Sequence, residues 1–366
     1  MEASDKYLAF MGLAPKHIPT WEHWSCPDAE TYCTGIDYYE HPKLCREKMQ
    51  EMYPFLELGI PETDDPKPRP QLDLKGESST TQEDGRHVRW GEGTTTHWSW
   101  GEHFRTVEDV FAFSPLEQGD FTDIPVVESA DYSSEEIIAK RYGVPLGEPP
   151  QPGTPGEASL AGFYNTMFMW PLLTFGWELF LETCLDPRFE RIMAEFLEIN
   201  RRVFRCFARM PVNFVLCHDD ICNSRGLTCS PQWMHKYIYP AYEELWGICQ
   251  AAGQEVLFMT DGRPDPAADD VLACGARGII SEPYGDYQAL ARKYEGRNLF
   301  LAGEGDNRIL TRNNPEEIQA MFDRMLETSR MTGGYVMCIG NHIPWNVTPA
   351  GMKLYLDLCR EHAYRE

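Results

Sequence analysis

The sequence predicts an α/β fold, a (β/α)8 TIM barrel with an irregular N-terminal extension and a hairpin. The first observation is a rhythm, in which five short apolar runs are each followed by polar residues and a segment with helical period. The second is that each run is continuous, which is typical of parallel strands buried on both faces. The third is that no glycine-rich dinucleotide turn follows a run, which favours a barrel over a doubly wound sheet.

The predicted strands are the five apolar runs, at residues 212–217, 255–260, 278–281, 299–302 and 335–339. Helices are predicted between them because a capping residue precedes a proline at 230–231, 314–315 and 348–349. Gly253 predicts a helix end. An earlier helix is predicted at 189–207, where apolar residues recur on one face.

The chain is expected to form a single domain over residues 1–366. Residues 151–366 carry the regular strand–helix units, whereas residues 1–150 are irregular. Within the irregular part, residues 61–85 are polar and are expected to form a loop. Residues 87–100 alternate in polarity around a glycine, which predicts a hairpin.

Composition limits the classes of partner. The chain has 33 basic and 57 acidic residues, a formal net charge of −24, so nucleic acid and anionic membranes are not expected to bind it. No apolar run approaches the roughly 18 residues that a membrane-spanning helix needs. The N-terminus lacks a basic-then-apolar signal segment, and the 12 cysteines form no CxxC pair. We therefore expect a cytoplasmic protein with reduced thiols.

Acidic, amide and histidine side chains follow the predicted strands, at the ends where a parallel barrel carries its chemistry. In chain order they are His218, Asp219, Asp220, Asp261, Glu282, Glu304, Asp306, Asn341 and His342. We predict a divalent metal on Asp261, Glu282 and His342, because catalytic zinc sites use three such protein ligands. The alternative is that each acid caps the following helix, above all Asp219 and Asp306.

Aromatic residues in the irregular part are candidates for a pocket that binds a flat substrate. We predict Trp21, Trp98 and Trp100 as substrate-binding residues, together with Glu304 and Asn341 at strand ends. The alternative is that the aromatic side chains serve ordinary packing. The sequence lacks the motifs GxxxxGKS/T, GxGxxG after a strand, GxSxG and HExxH. Their absence disfavours nucleotide-dependent chemistry and triad-type acyl transfer.

Three segments resemble the uroporphyrinogen decarboxylase superfamily. They are EHFRTVEDVFAF at 102–113, CHDDICNSRGLTCSPQWMHKYIYPAY at 217–242 and GGYVMCIGNHIPWNVTPAGM at 333–352. The resemblance spreads over most of the chain. It implies a (β/α)8 barrel, in agreement with the rhythm of apolar runs.

The superfamily has two functional branches. The decarboxylases bind substrate carboxylates with N-terminal arginines, but residues 17–33 contain no arginine, which disfavours that activity here. The corrinoid-dependent methyltransferases hold zinc on a His-x-Cys pair, a Glu and a late Cys. The resemblance places Met259, Asp261, Glu282 and either Asn341 or His342 at those positions. Carboxylates in place of thiolates imply a harder metal site, which suits polarisation of an ether oxygen.

The resemblance therefore implies an O-demethylase that moves a methyl group from a phenyl methyl ether to the cob(I)amide of a separate corrinoid protein. The corrinoid is expected on a partner because the chain has no DxHxxG motif. The implied cofactor is zinc or another divalent metal. His218, Asp219 and Asp220 are the catalytic candidates, with His218 or Asp219 delivering a proton to the leaving phenolate.

Other activities stay open at this point. The same superfamily suggests a thiol, methylamine or methanol methyltransferase, or a uroporphyrinogen-type decarboxylase. A barrel with these ligands could also be a metal-dependent hydrolase or lyase. The non-enzymatic alternative is a corrinoid-partner or scaffold protein, because a shared fold does not fix a function.

Overall fold

The structure is a computed structural model. It describes residues 3–22, 26–56, 58–69, 103–124, 128–147, 150–343 and 347–365, together with the backbone of strands at 78–81, 87–90 and 96–99. The helices are α1 (Asp5–Phe10), α2 (Pro27–Thr34), α3 (Pro42–Met52), α4 (Val107–Ala112), α5 (Pro115–Gln118), α6 (Glu135–Arg141), α7 (Met169–Phe175), α8 (Trp177–Thr183), α9 (Phe189–Phe207), α10 (Pro231–Tyr237), α11 (Tyr239–Ala251), α12 (Ala268–Ala273), α13 (Tyr287–Lys293), α14 (Asn307–Arg312), α15 (Pro315–Met331) and α16 (Pro349–His362). The strands are β1 (Ser78–Thr81), β2 (His87–Trp90), β3 (Thr96–Ser99), β4 (Leu160–Phe163), β5 (Phe214–His218), β6 (Cys222–Asn223), β7 (Gly226–Leu227), β8 (Glu255–Thr260), β9 (Gly278–Ser281), β10 (Phe300–Ala302) and β11 (Gly334–Val336).

The main sheet has six strands in the order β11-β10-β9-β8-β5-β4, and every neighbouring pair is parallel. Helices alternate with these strands along the chain. A further parallel bridge joins Thr20 to Met337, so the N-terminal segment extends the order beyond β11. The predicted α/β class with parallel strands is confirmed, and all five predicted strands are present.

The sheet curls around α1. The ring of Phe10 in α1 lies 5.1 Å from the ring of Phe214 in β5 and 5.0 Å from that of Phe300 in β10. Two strands separate β5 from β10, so a flat sheet would hold them about 14 Å apart. Both phenylalanines begin their strands, so α1 covers the amino ends of the strands and the carboxyl ends point away from it.

The irregular N-terminal part contains the predicted hairpin as β2 paired antiparallel with β3. The structure also contains β1, which lies within residues 61–85, the segment expected to be a loop, and pairs antiparallel with β2. The sequence of β1 is SSTT, and its threonines favour an extended chain although the flanking residues are rich in proline and glycine. None of the 12 cysteines, all of which lie among the described residues, forms a disulfide. The described part of the chain has no helix long and apolar enough to cross a membrane.

The segment beside β11 is anchored by a buried carboxylate. The Glu22 carboxylate accepts the backbone N–H of Ile339 at 3.0 Å and the hydroxyl of Tyr355, on α16, at 2.5 Å. Burial raises the pKa of Glu22 to about 8, and the two hydrogen bonds oppose the rise only in part. The folded protein therefore keeps a proton on Glu22 over a pH range in which the unfolded chain releases it.

We expect the free energy of unfolding to fall as pH rises from about 4.5 to about 8, because the pKa of Glu22 is higher in the folded state. The slope from this one group is at most about 1.4 kcal/mol per pH unit. Urea unfolding of the wild type and of Glu22→Gln at pH 5, 6, 7 and 8 measures it. The variant should lose this part of the slope, whereas the exposed control Glu51→Gln should keep it. Parallel curves for the wild type and Glu22→Gln would contradict the assignment.

Candidate active site

Polar side chains converge at the carboxyl ends of β4, β5, β8 and β9. Tyr164 directly follows β4, His218 ends β5, and Asp220 lies two residues beyond it. Asp261 follows β8, and Glu282 follows β9. Because neighbouring parallel strands end together, these side chains meet at the open end of the sheet.

His218, Asp220 and Asp261 form the centre of this group. One potential ligand atom from each lies within 4.8 Å of the others. The Nε2 atom of His218 is 3.0 Å from Oδ1 of Asp220, and the same oxygen accepts the backbone N–H of Asp261 at 2.8 Å. An imidazole nitrogen and two carboxylate oxygens at this spacing fit a divalent cation such as zinc. The structure brings Asp261 together with His218 and Asp220, and this set differs from the predicted ligands Glu282 and His342.

Tyr164, which the sequence analysis does not predict as a site residue, supplies a further hydrogen bond to Asp220. Its hydroxyl donates to Oδ2 of Asp220 at 3.0 Å, and its ring stands edge-on to the imidazole of His218 at 4.2 Å between centroids. The signal was weak because β4 is a four-residue strand, LAGF, with two small residues. The order of a strand followed by a tyrosine was the only clue available.

Asn341 links Asp261 to Glu282. Its Nδ2 atom donates to Oε1 of Glu282 at 3.0 Å and lies 3.4 Å from Oδ2 of Asp261. The other oxygen of Glu282 accepts the backbone N–H of Gly262 at 2.7 Å. Glu282, a predicted metal ligand, is thus connected to the central group only through a hydrogen bond to Asn341. Asn341, a predicted substrate-binding residue, lies between Glu282 and Asp261.

The three central residues shift each other's protonation. Burial lowers the pKa of His218, but its hydrogen bond to Asp220 and the charges of Asp220 and Asp261 outweigh this, and the net pKa is raised. Burial raises the pKa of Asp220, but the hydrogen bond and charge of His218 bring the net pKa below its usual range. Burial and the nearby charges of Asp220 and Glu282 raise the pKa of Asp261 to about 7. The site thus concentrates negative charge that a cation would relieve.

Asp219 points away from this centre and holds a helix. Its carboxylate accepts the backbone N–H groups of Phe168 and Met169 at 2.8 and 2.6 Å and the hydroxyl of Tyr242 at 2.7 Å. The first two donors open α7, where a carboxylate also interacts favourably with the helix dipole. Burial raises the pKa of Asp219 to about 7. The structure thus places Asp219 as a buried acceptor at the start of α7, a helix that precedes it in the chain, and not as a cap of the helix that follows it.

Glu304 faces the outer helices. Alternation along β10 would place it on the inner face with Ala302, but Gly303 has φ +98° and breaks that alternation. The carboxylate accepts hydrogen bonds from Arg324, Thr328 and Tyr335, at 3.2, 3.1 and 2.6 Å. The structure therefore separates Glu304 from the central group.

Three further predicted residues, His342, Trp21 and Asp306, lie apart from the centre. His342 is exposed, and its backbone N–H donates to Oδ1 of Asn341 at 2.7 Å. Trp21 packs 5.6 Å from the ring of Phe10, on the side of the sheet that α1 covers. Asp306 caps α14. Trp98 lies in β3, whose side chains are outside the description, and Trp100 is outside the described residues.

Part of the chain matches a known family. Residues 185–362 match the family described as "Uroporphyrinogen decarboxylase (URO-D)". The match supports the uroporphyrinogen decarboxylase superfamily, most of whose members are enzymes. No curated protein matches the sequence.

Among solved structures, the chain is similar to a "xylose isomerase-like TIM barrel/4-hydroxyphenylpyruvate dioxygenase fusion protein". The identity is 15%, the TM-score is 0.29, and the alignment covers 48% of this chain and 34% of that chain. This chain therefore spans about a third of the length of that protein. The likeness has no bearing on function.

We expect Gly303→Ala to destabilise the fold by at least about 2 kcal/mol, because φ is positive and the added Cβ would lie 1.8 Å from the carbonyl oxygen of Ser281. Gly247→Ala is the matched control. Gly247 lies inside α11 with no atom within 4 Å of an added Cβ, so alanine should stabilise by about 0.5–1 kcal/mol. Thermal unfolding of both variants measures the difference. Equal melting temperatures would show that the turn at 303 tolerates a side chain.

Proposed function

We propose that this chain is a metal-dependent methyltransferase that demethylates phenyl methyl ethers and delivers the methyl group to the cob(I)amide of a separate corrinoid protein. The observation that carries the proposal is the group formed by His218, Asp220 and Asp261 at the carboxyl ends of the strands. The family match over residues 185–362 supports a superfamily that includes such methyltransferases. The absence of thiolates from this group favours an oxygen-bound methyl donor over a thiol.

His218, Asp220 and Asp261 are the residues that would hold a divalent metal, with zinc as the expected ion. When bound, the metal supplies Lewis acidity that lowers the cost of negative charge on the ether oxygen. In the overall reaction the O–CH3 bond breaks, its electron pair stays on oxygen, and the methyl group passes to the acceptor. The oxygen ends as a phenol after taking up one proton.

Tyr164 is the protonated group beside the centre. Burial and the charges of Asp220 and Asp261 raise the pKa of its hydroxyl, so it stays protonated at neutral pH. Its contact with the ring of His218 also fixes the imidazole plane. We assign Tyr164 the role of a hydrogen-bond donor to the oxygen that becomes negative as the methyl group leaves, with its one hydroxyl hydrogen turning from Oδ2 of Asp220 to that oxygen.

Asn341 and Glu282 keep Asp261 in place. Two carboxylates this close repel each other, and the amide of Asn341 donates to both. The backbone N–H of Gly262 holds the second oxygen of Glu282 at 2.7 Å. These contacts orient the Asp261 carboxylate toward His218 and Asp220 without taking part in the bond changes.

A metal-independent acid–base site is the second candidate. The hydrogen bond of 3.0 Å between His218 and Asp220 is the arrangement that orients a histidine as a proton donor. A lyase or decarboxylase that moves protons alone would use this pair. Metal analysis separates the two candidates.

We expect about one divalent metal per chain in protein purified without chelators. His218→Ala and Asp261→Ala should each lose it, because two ligands bind far more weakly than three. His342→Ala is the matched control and should retain the metal, because the exposed His342 lies outside the group. Inductively coupled plasma mass spectrometry measures the content. Metal lost in His342→Ala but kept in His218→Ala would restore the ligand set predicted from the sequence.

We expect Tyr164→Phe to slow methyl transfer about 100-fold, because it removes the hydroxyl donor, and the rate is compared at equal metal loading because the hydrogen bond to Asp220 is lost as well. Tyr237→Phe, a partly buried tyrosine of α10 away from the centre, should leave the rate unchanged. The assay follows the cob(I)alamin absorbance under anaerobic conditions with 2-methoxyphenol as donor. A Tyr164→Phe enzyme with wild-type kcat would remove this residue from the mechanism.

A further inference from the structure

Two cysteines meet where α8 ends and α10 begins. Cys184 directly follows α8 and is 4% exposed, and Cys229 precedes Ser230, the capping residue of α10. The two thiols are hydrogen-bonded to each other, and both side chains pack in the same apolar cluster. Cys229 is partly exposed, so the pair is open to solvent on one side.

A tryptophan holds the backbone around both cysteines. Trp233 in α10 donates from Nε1 to the carbonyl oxygen of Cys184 at 3.0 Å. Its backbone N–H donates to the hydroxyl of Ser230, the residue after Cys229, at 3.3 Å. Its ring packs edge to face with that of Phe180 in α8, with 5.9 Å between centroids. The end of α8 and the start of α10 are therefore packed together by contacts other than the thiol pair.

The chain between β5 and α10 connects this thiol pair to the candidate active site. Residues 219–230, which we call the β5 loop, carry Asp220 of the metal-binding group. At the start of the loop, the Asp219 carboxylate accepts the two N–H groups that open α7, the helix directly before α8. At its end, Cys229 contacts Cys184. The β5 loop is thus attached to the α7–α8 segment at both ends.

We propose that Cys184 and Cys229 form a reversible disulfide, a redox-sensitive cross-link that holds the β5 loop against the end of α8. The oxidant is a small disulfide such as oxidised glutathione. Two S–H bonds break and one S–S bond forms between the cysteines. The oxidant takes up the two electrons and the two protons and becomes two thiols. The cross-link does not depend on the proposed methyl transfer.

The surroundings of the pair favour this exchange. Packing already holds the two sulfur atoms together, so the bond forms without the distortion of the native backbone that makes many disulfides destabilising. The hydrogen bond from Cys229 lowers the pKa of Cys184, against the effect of its burial, and raises the pKa of Cys229. A thiolate is the nucleophile in thiol–disulfide exchange. Cys184 therefore supplies the attacking sulfur in the step that joins the two cysteines.

Equilibration of the reduced full chain with excess oxidised glutathione tests the cross-link. After alkylation of the remaining thiols, peptide mass spectrometry should show Cys184 joined to Cys229. Dithiothreitol should then restore all 12 thiols of the reduced chain. An oxidised chain without a cross-linked peptide, or with a disulfide that joins only other cysteines, would overturn the proposal.

Serine variants test the pairing. Cys184→Ser and Cys229→Ser should each abolish the cross-linked peptide. Cys274→Ser is the matched control, because Cys274 is also partly exposed and its thiol donates to the carbonyl oxygen of Tyr239 at 3.3 Å. This control should form the cross-link as the wild type does, and its failure to do so would contradict the pairing. Cys229→Ser, at the more exposed position, keeps the test valid where Cys184→Ser fails to fold.

Hydrogen exchange followed by mass spectrometry tests whether the cross-link restrains the β5 loop. We expect the amides of residues 221–229 to exchange at least about fivefold more slowly in the oxidised wild type than in the reduced protein. The melting temperature should rise by about 3 °C, because the cross-link restricts the unfolded chain. In Cys229→Ser, oxidised glutathione should change neither quantity. A cross-linked protein whose β5 loop exchanges as fast as in the reduced protein would overturn the restraining role.

Discussion

The carboxylate of Asp220 is the interaction on which the arrangement of the site depends. It accepts from the hydroxyl of Tyr164, the imidazole of His218 and the backbone N–H of Asp261, which belong to the ends of β4, β5 and β8. One side chain thus ties three neighbouring strand ends together. The hydrogen bond and charge of His218 more than offset the burial of this carboxylate, so the pKa of Asp220 stays low and the group stays ionised. Removal of this charge would release all three partners at once, because each contact uses the same two oxygen atoms.

The open end of the sheet contrasts with the end covered by α1. At the covered end, the aromatic rings of Phe214 and Phe300 both pack against that of Phe10 and stabilise the fold by burial. At the open end, burial works against the charged groups and raises the pKa values of Asp219 and Asp261 to about 7. Apolar packing therefore stabilises the fold at one end of the strands, whereas buried carboxylates at the other end cost free energy. A cation bound at the open end would attract these carboxylates, offset part of that cost and stabilise the folded protein.

The alternation of strands and helices can be predicted from the sequence, because a strand buried on both faces needs a continuous run of apolar residues. The same alternation also predicts that Asp220 and Asp261 lie at strand ends. It does not predict the direction of a side chain after the strand, because that depends on the turn. Gly303 turns Glu304 outward through a positive φ, and the two N–H groups at the start of α7 draw Asp219 away from the centre. Tyr164 was missed since a four-residue strand with two small residues carries little hydrophobic signal. These side-chain directions follow from local backbone geometry, which one sequence does not report.

Hydrogen bonds from the backbone hold the acidic side chains of the site. A ligand side chain can therefore be exchanged while these hydrogen bonds stay in place. Asp220 is held by the N–H of Asp261, Glu282 by the N–H of Gly262, and Asp219 by the N–H groups of Phe168 and Met169. The donors to Asp220 and Glu282 belong to the main chain of a neighbouring strand end, and those to Asp219 belong to the start of α7, so each donor is present whatever the side chain there. If the chain is the methyltransferase we propose, its relatives would hold the metal with a cysteine where this chain has Asp261. Exchange of that cysteine for aspartate leaves the N–H that orients Asp220 in place and alters only the ligand atom offered to the metal. A shift from soft to hard ligands at this position is therefore compatible with the same fold and the same neighbouring contacts.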